Sequence, residues 1–203
     1  MTTTDRPFDA VLSDLDGVIR HFDHAELNRL ERAAGLPPGE TMRTGFAPGV
    51  DGPLLRGEIG RAEWTAAITE RLARRIPLPR ARELAEAFAA APFTADPEVV
   101  ALLRAARTRM PLVLVTNATA WLDQDLALLG LHDLADAVVN SAEVGTVKPE
   151  DRIYLIAAAR AGAAPDRCLF IDDRAENVAA ATALGMTGVH FRTAADLRAV
   201  LGA

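Results

Sequence analysis

Hydrophobic positions along this chain follow two alternating patterns. Short apolar runs, each followed by polar or glycine-containing sequence, recur between longer stretches whose apolar residues return every three or four positions. The first pattern is that of strands buried on both faces, and the second that of amphipathic helices packed over them. The runs predict strands over Asp9–Ser13, Leu112–Val115, Ala137–Asn140, Cys168–Ile171 and Gly188–Phe191. Asp96-Pro97-Glu98 supplies an N-cap acid, a proline at the first helical position and an acid in the first turn. A helix therefore starts there, with Val99, Leu102, Leu103 and Ala106 as its apolar face. Another helix begins near Pro149 and stops at Gly162, and a third runs from Asp173 to Leu184 and closes at Gly185. Such alternation predicts an α/β fold, a Rossmann-like parallel sheet with helices on both faces.

One region departs from the pattern. From about residue 20 to residue 92 no strand is expected, while "HAELNRLERAAG", "GRAEWTAAITERLARRI" and "PRARELAEAFAAA" all have helical spacing. Trp64, Ile68 and Leu72 share a face, and Trp64 and Phe88 are expected in that region's core. Because the first strand precedes these helices, they read as an insertion and not as a separate N-terminal domain. The expected division is 1–19 with 93–203 as the α/β domain and 20–92 as the helical one, "APFTADP" returning the chain to the sheet.

Composition narrows the function. A net charge of −6 argues against general nucleic-acid binding, which needs clustered Lys and Arg, but leaves small anionic ligands open. No apolar stretch approaches the roughly 20 residues of a membrane helix. The start, "MTTTDRPFDA", carries acids early and lacks a basic, then apolar leader, so a cytoplasmic protein is expected. The single cysteine, Cys168, excludes an internal disulfide and sits in the run "CLFI", where a buried thiol is expected.

In a parallel sheet, ligands bind beyond the carboxyl ends of the strands, beside a reversal of strand order. The residues just past each strand are therefore informative. Asp14 and Asp16 come after the first, Thr116-Asn117 after the second, a loop leading to Lys148 after the third, and Asp172-Asp173 with Asn177 after the fourth. Asp123-Gln-Asp125 is a second D-x-D triplet, but it lies in a helical stretch whose buried face is Leu122, Leu126 and Leu129, so its acids are expected to be solvated. Three carboxylates against one ammonium leave an excess negative charge of two, which a divalent cation would cancel. Hard oxygen donors without cysteine or histidine suit magnesium. His21 and His24 share no soft-ligand set and read as surface or cap residues.

These residues lie in four segments, "DLDGV", "VLVTNAT", "GTVKPEDRIY" and "IDDRAENV", whose order and content resemble the four motifs of the haloacid dehalogenase superfamily. The helical insertion resembles that family's C1-type cap. The resemblance points to the subgroup of the dehalogenases, sugar-phosphate phosphatases and the phosphatase domain of bifunctional epoxide hydrolases. It implies Asp14 as nucleophile, forming an aspartyl-phosphate, and Asp16 as the acid that protonates the leaving oxygen and then deprotonates water. It further implies that the Thr116 hydroxyl and Asn117 backbone bind phosphoryl oxygens and that Lys148 neutralises charge. Mg2+ would be held by Asp14, the Asp16 carbonyl and Asp173, with Asp172 acting directly or through water, and Asn177 orienting that shell. Family dehalogenases keep no acid at the Asp16 position, so a small phosphorylated metabolite is the implied substrate. A dehalogenase, a phosphomutase and a non-catalytic phosphate-binding module are the alternatives; quaternary state, monomer or homo-oligomer, stays open.

Overall fold

The computed structural model describes residues 7–202. The segment read for a targeting signal lies largely outside them. In chain order the strands are β1 (Ala10–Ser13), β2 (Arg20–Phe22), β3 (Phe93–Ala95), β4 (Leu112–Thr116), β5 (Ala137–Asn140), β6 (Cys168–Asp172) and β7 (Thr187–His190). The helices are α1 (Ala25–Ala33), α2 (Glu40–Gly45), α3 (Asp51–Leu55), α4 (Arg61–Leu72), α5 (Leu78–Ala89), α6 (Pro97–Arg107), α7 (Leu122–Leu128), α8 (Ser141–Val144), α9 (Asp151–Ala161), α10 (Ala175–Ala183) and α11 (Ala194–Leu201). The chain divides into two units, one running up to His21 and resuming at Ala95, the other Phe22–Thr94.

The first unit is a parallel five-stranded sheet in the order β5-β4-β1-β6-β7. Its three central strands are wholly buried. Successive side chains of a strand point to opposite faces, and two separate cores result. Val11, Leu112, Leu114, Leu169 and Ile171 pack with Val99, Leu103 and Ala106 of α6, Leu122 and Leu126 of α7, and Leu197 and Leu201 of α11. Ala10, Leu12, Val113, Val115, Cys168 and Phe170 pack with Ile153, Tyr154, Ala157 and Ala161 of α9 and Ala181 of α10. This is the α/β architecture expected, with helices on both faces. Caps fall where the residue types predict: Asp96 accepts from the Glu98 and Val99 amides, and Gly162 ends α9 in the left-handed region. Cys168 is fully buried, and burial, assisted by Asp166, pushes its thiol up to about 11.

The second unit is mainly helical. Trp64, Ile68 and Leu72 of α4 are buried, as are Leu84, Ala85 and Phe88 of α5, and the Trp64 and Phe88 rings lie 5.3 Å apart. The Trp64 indole donates to the Gly45 carbonyl at 3.1 Å. Glu31 is a fully buried carboxylate that accepts from the Gly39 and Thr41 amides, both at 2.6 Å, supplying the acceptor that Gly39 lacks at the start of α2. His21 is exposed; His24 begins α1, its ring stacked 6.0 Å from Phe22.

The structure corrects the expectation that no strand lies between about 20 and 92. Arg20–Phe22 is a strand, and it pairs with Phe93–Ala95 in a separate two-stranded sheet. Three residues are too few to carry a period. No helix among the described residues is long and apolar enough to cross a membrane.

Candidate active site

The chain runs from β1 outward to β4 and β5, then returns to the other side of β1 for β6 and β7. Strand order therefore reverses at β1, between β4 and β6, where the open crevice of such a sheet forms. Asp14 follows β1, its amide bonded to the Ile171 carbonyl at 2.8 Å, and Asp172 ends β6. Two buried carboxylates thus meet at the reversal, and oxygens of Asp14, Asp172 and Asp173 all lie within 4.8 Å of one another.

Lys148 resolves part of the repulsion. Its ammonium sits 2.7 Å from Asp14 Oδ1 and 2.7 Å from Asp172 Oδ2, with only 1% of the side chain exposed. Asn117 fixes the loop that carries it: the Asn117 side chain donates to the Lys148 carbonyl at 2.9 Å and accepts from the Lys148 amide at 2.7 Å. This use of the Asn117 side chain is additional to the backbone role that the family resemblance implies. Thr116 is fully buried at the end of β4, and its hydroxyl has no hydrogen-bond partner among the described residues, an uncompensated polar group of the kind a bound oxyanion would satisfy.

Asp172 is saturated. Its Oδ1 accepts from the Arg174 amide at 2.8 Å and Asn177 at 3.0 Å, and its Oδ2 accepts from Lys148 at 2.7 Å and Asn177 at 3.1 Å. Asn177 is itself buried, and its carbonyl accepts from the Tyr154 hydroxyl at 3.1 Å. Asp173, by contrast, is exposed. Burial raises Asp14 to about 7 against the opposing pull of Lys148, with Asp172 adding to the rise. Asp173 is raised as well, by the partial desolvation of its carboxyl against its neighbours and by Asp172.

Gly17 makes this packing feasible. It adopts φ +82°, and a Cβ there would lie 2.2 Å from Asp173 Oδ2. Gly17→Ala should therefore cost about 1–3 kcal/mol of stability from backbone strain, with displacement of Asp173 added. Thermal denaturation checks it; an unchanged midpoint would contradict the clash.

Asp16 stands apart from the cluster. Its side chain is 37% exposed and is gripped by Arg20, Nε to Oδ1 at 2.5 Å and Nη2 to Oδ2 at 2.9 Å. Arg20 Nη1 reaches Asp125 Oδ2 at 2.8 Å. This corrects the reading of Asp123-Gln-Asp125 as solvated. Asp123 is exposed, but Asp125 is 14% exposed and ion-paired. Its partner lies 105 positions away in the sequence, a separation that no local pattern spans.

A family model described as haloacid dehalogenase-like hydrolase matches residues 8–185, a span that includes every residue of this site. The chain belongs to the haloacid dehalogenase-like hydrolases. A phosphatase of Mycobacterium tuberculosis is 32% identical over 183 residues, covering 87% of this chain and 84% of its own. Bifunctional epoxide hydrolase 2 of Rattus norvegicus is 28% identical over 205 residues, 91% of this chain but 37% of that protein. A haloacid dehalogenase-family enzyme of Bacteroides thetaiotaomicron, crystallised with magnesium and inorganic phosphate, superimposes with a TM-score of 0.68 at 21% identity, covering 89% of this chain and 92% of that one. This haloacid dehalogenase-like hydrolase is therefore an enzyme, with its polar strand ends gathered at the sheet reversal.

Proposed function

We propose that this hydrolase is a magnesium-dependent phosphatase cleaving phosphomonoesters of small metabolites, sugar phosphates among them, through an aspartyl-phosphate on Asp14. The observation that carries this reading is a carboxylate at Asp16, two residues beyond a lysine-paired Asp14. A halide leaving group needs no proton, whereas an alkoxide does. The Mycobacterium tuberculosis relative is named a phosphatase, and the Bacteroides thetaiotaomicron enzyme was crystallised with magnesium and phosphate.

Asp14 Oδ1 accepts from the Leu15 amide and Lys148, both at 2.7 Å, contacts that fix the carboxylate for attack. Attack forms the bond between Asp14 and phosphorus and breaks the ester bond, the leaving oxygen taking its proton from Asp16. Asp16 then accepts a proton from the water that attacks phosphorus, releasing phosphate and restoring Asp14. Lys148 and the Thr116 hydroxyl counter the charge on the phosphoryl oxygens.

The donor set fits magnesium, being carboxylate oxygens in a tight anionic group. Asp14, the Asp16 carbonyl and Asp173 would hold it. Asp172, with both oxygens engaged twice, would act through water. Magnesium bound there supplies positive charge to the phosphoryl oxygens.

A pH dependence follows from Asp14. Its pKa in the metal-free fold, about 7, lies above the ordinary 3.8, so between these values the folded state keeps a proton that the unfolded chain has shed. The resulting stabilisation is present below the lower value and lost as pH rises through the higher one. Magnesium competes with that proton. Thermal midpoints of stripped and magnesium-loaded protein should therefore diverge between about pH 5.5 and about pH 8. A gap independent of pH would contradict Asp14 as a ligand.

The function is tested by incubating the protein with a panel of phosphorylated metabolites and a 2-haloacid, with magnesium or with chelator. Phosphate released only with magnesium, and no halide, is expected. Absence of magnesium-dependent phosphate release across the panel would sink the proposal, and halide release would favour the dehalogenase.

A further inference from the structure

Within the first unit, the end of β5 carries two polar side chains that the proposed chemistry does not use. Asn140 and Ser141 are both buried. β5 runs parallel to β4 with Asn140 opposite Thr116, so the pair lies beside the point where β4 delivers Thr116 and Asn117. The Ser141 hydroxyl makes two bonds to one residue: it accepts from the Ala118 amide at 3.1 Å and donates to the Ala118 carbonyl at 3.2 Å. The Asn140 side chain donates to the Thr119 carbonyl at 2.9 Å, and its oxygen accepts from the Ala142 amide at 3.1 Å, which caps α8.

Thr116 closes β4 and is held by the sheet, but residues 117–119 belong to neither strand nor helix. Side chains hold them in turn: Asn117 is tied to the Lys148 backbone, Ala118 to Ser141, and Thr119 to Asn140. Because each peptide unit is planar, the two bonds of Ser141 fix both planes that flank Ala118. One of those planes adjoins the Thr116–Asn117 peptide, whose N–H is the backbone donor proposed for a phosphoryl oxygen. We infer that Ser141 and Asn140 are positioning residues for phosphate binding, holding the 116–119 segment in the shape that presents the Thr116 hydroxyl and the Asn117 amide together. This rests on the phosphatase reading, in which those two groups meet the phosphoryl oxygens. Donors fixed in advance need no reorganisation when the anion arrives. Neither Asn140 nor Ser141 touches the reacting atoms in this role.

A positioning role and a merely structural one part at the inhibition constant of inorganic phosphate, the product of the proposed reaction. A fall in the fraction folded lowers the rate but leaves that constant where it was. It is measured with magnesium and p-nitrophenyl phosphate, or whichever ester of the panel the enzyme turns over. Ser141→Ala should raise the constant about tenfold, because Ala118 loses both tethers, whereas Ser141→Thr keeps the hydroxyl and should stay within about twofold of wild type. Asn140→Ser retains a capping oxygen for α8 but lacks the amide that reaches Thr119. The Thr119 carbonyl also accepts from the Leu122 amide at 3.1 Å, so this tether is the lesser one. Its loss should raise the constant about threefold, and it provides the test if the Ser141 variants do not fold.

A constant unchanged in Ser141→Ala, or in Asn140→Ser where the Ser141 variants do not fold, would overturn the positioning role while leaving the phosphatase reading intact, whatever the thermal midpoints. So would a rise in Ser141→Thr equal to that in Ser141→Ala, since the hydroxyl would then not be the tether. A wild-type protein that releases phosphate from no ester of the panel would overturn both.

Discussion

On the proposed chemistry, Lys148→Met should lose phosphate release by about a thousandfold or more and, stripped of magnesium, should unfold at a markedly lower temperature than wild type. Both effects come from one ammonium group. The ammonium is the counter-charge for Asp14 and Asp172 at 2.7 Å each, and all three groups are buried. Removing one partner of a buried ion pair leaves uncompensated charge, at a cost of about 3–5 kcal/mol. For a chain of this length that lowers the midpoint by on the order of 10 °C. The expected activity loss follows because Lys148 is the cation that bonds Asp14 Oδ1, and the proposed phosphoryl transfer would depend chiefly on such stabilisation. Calorimetry with and without magnesium checks the first effect: the cation should restore part of the midpoint but not the activity. A midpoint unchanged from wild type would contradict the buried-triad description.

With Asp14 as the proposed nucleophile, Asp14→Asn should lose at least as much activity, about ten-thousandfold or more, with the opposite effect on stability. Burial, the largest influence on this carboxyl, raises its pKa to about 7, so its charge is unfavourable in the metal-free fold. A neutral isostere removes that cost while Lys148 keeps Asp172 as a partner. The metal-free variant should melt at or above the wild-type temperature near neutral pH. Magnesium should stabilise it far less than wild type. A clearly lower midpoint would mean that the Asp14 charge supports the fold. The two variants thus separate catalysis from stability, since activity disappears in both and the midpoint moves in opposite directions.

Much of this could be read from the chain. Leu112–Thr116 and Cys168–Asp172 are buried along their whole lengths, so their sequences are continuous apolar runs, and the polar residues that end those runs are the candidate site residues. Asp14, Thr116 and Asp172 were visible for that reason, and Lys148 from the loop that follows the Ala137–Asn140 strand. The three-residue strands Arg20–Phe22 and Phe93–Ala95 were not, because their pairing and not their composition defines them. Nor were the short helices Glu40–Gly45 and Asp51–Leu55, the first of which takes its capping acceptor from Glu31 on another helix. Asp125 was expected to be solvated, and no pattern in the sequence singled out Arg20. What joins them is a contact between residues distant in sequence, made only when β1 and the segment after β4 share a sheet edge.

The proposed chemistry is tested most directly on Asp14. Wild-type protein is mixed with a turned-over phosphate ester and magnesium, quenched in acid during turnover, digested, and examined by mass spectrometry. A phosphoryl adduct on the peptide carrying Asp14, absent from Asp14→Asn and longer-lived in Asp16→Asn, is the predicted result. Phosphate release that proceeds with Asp14 unmodified, or that survives in Asp14→Asn, would contradict it.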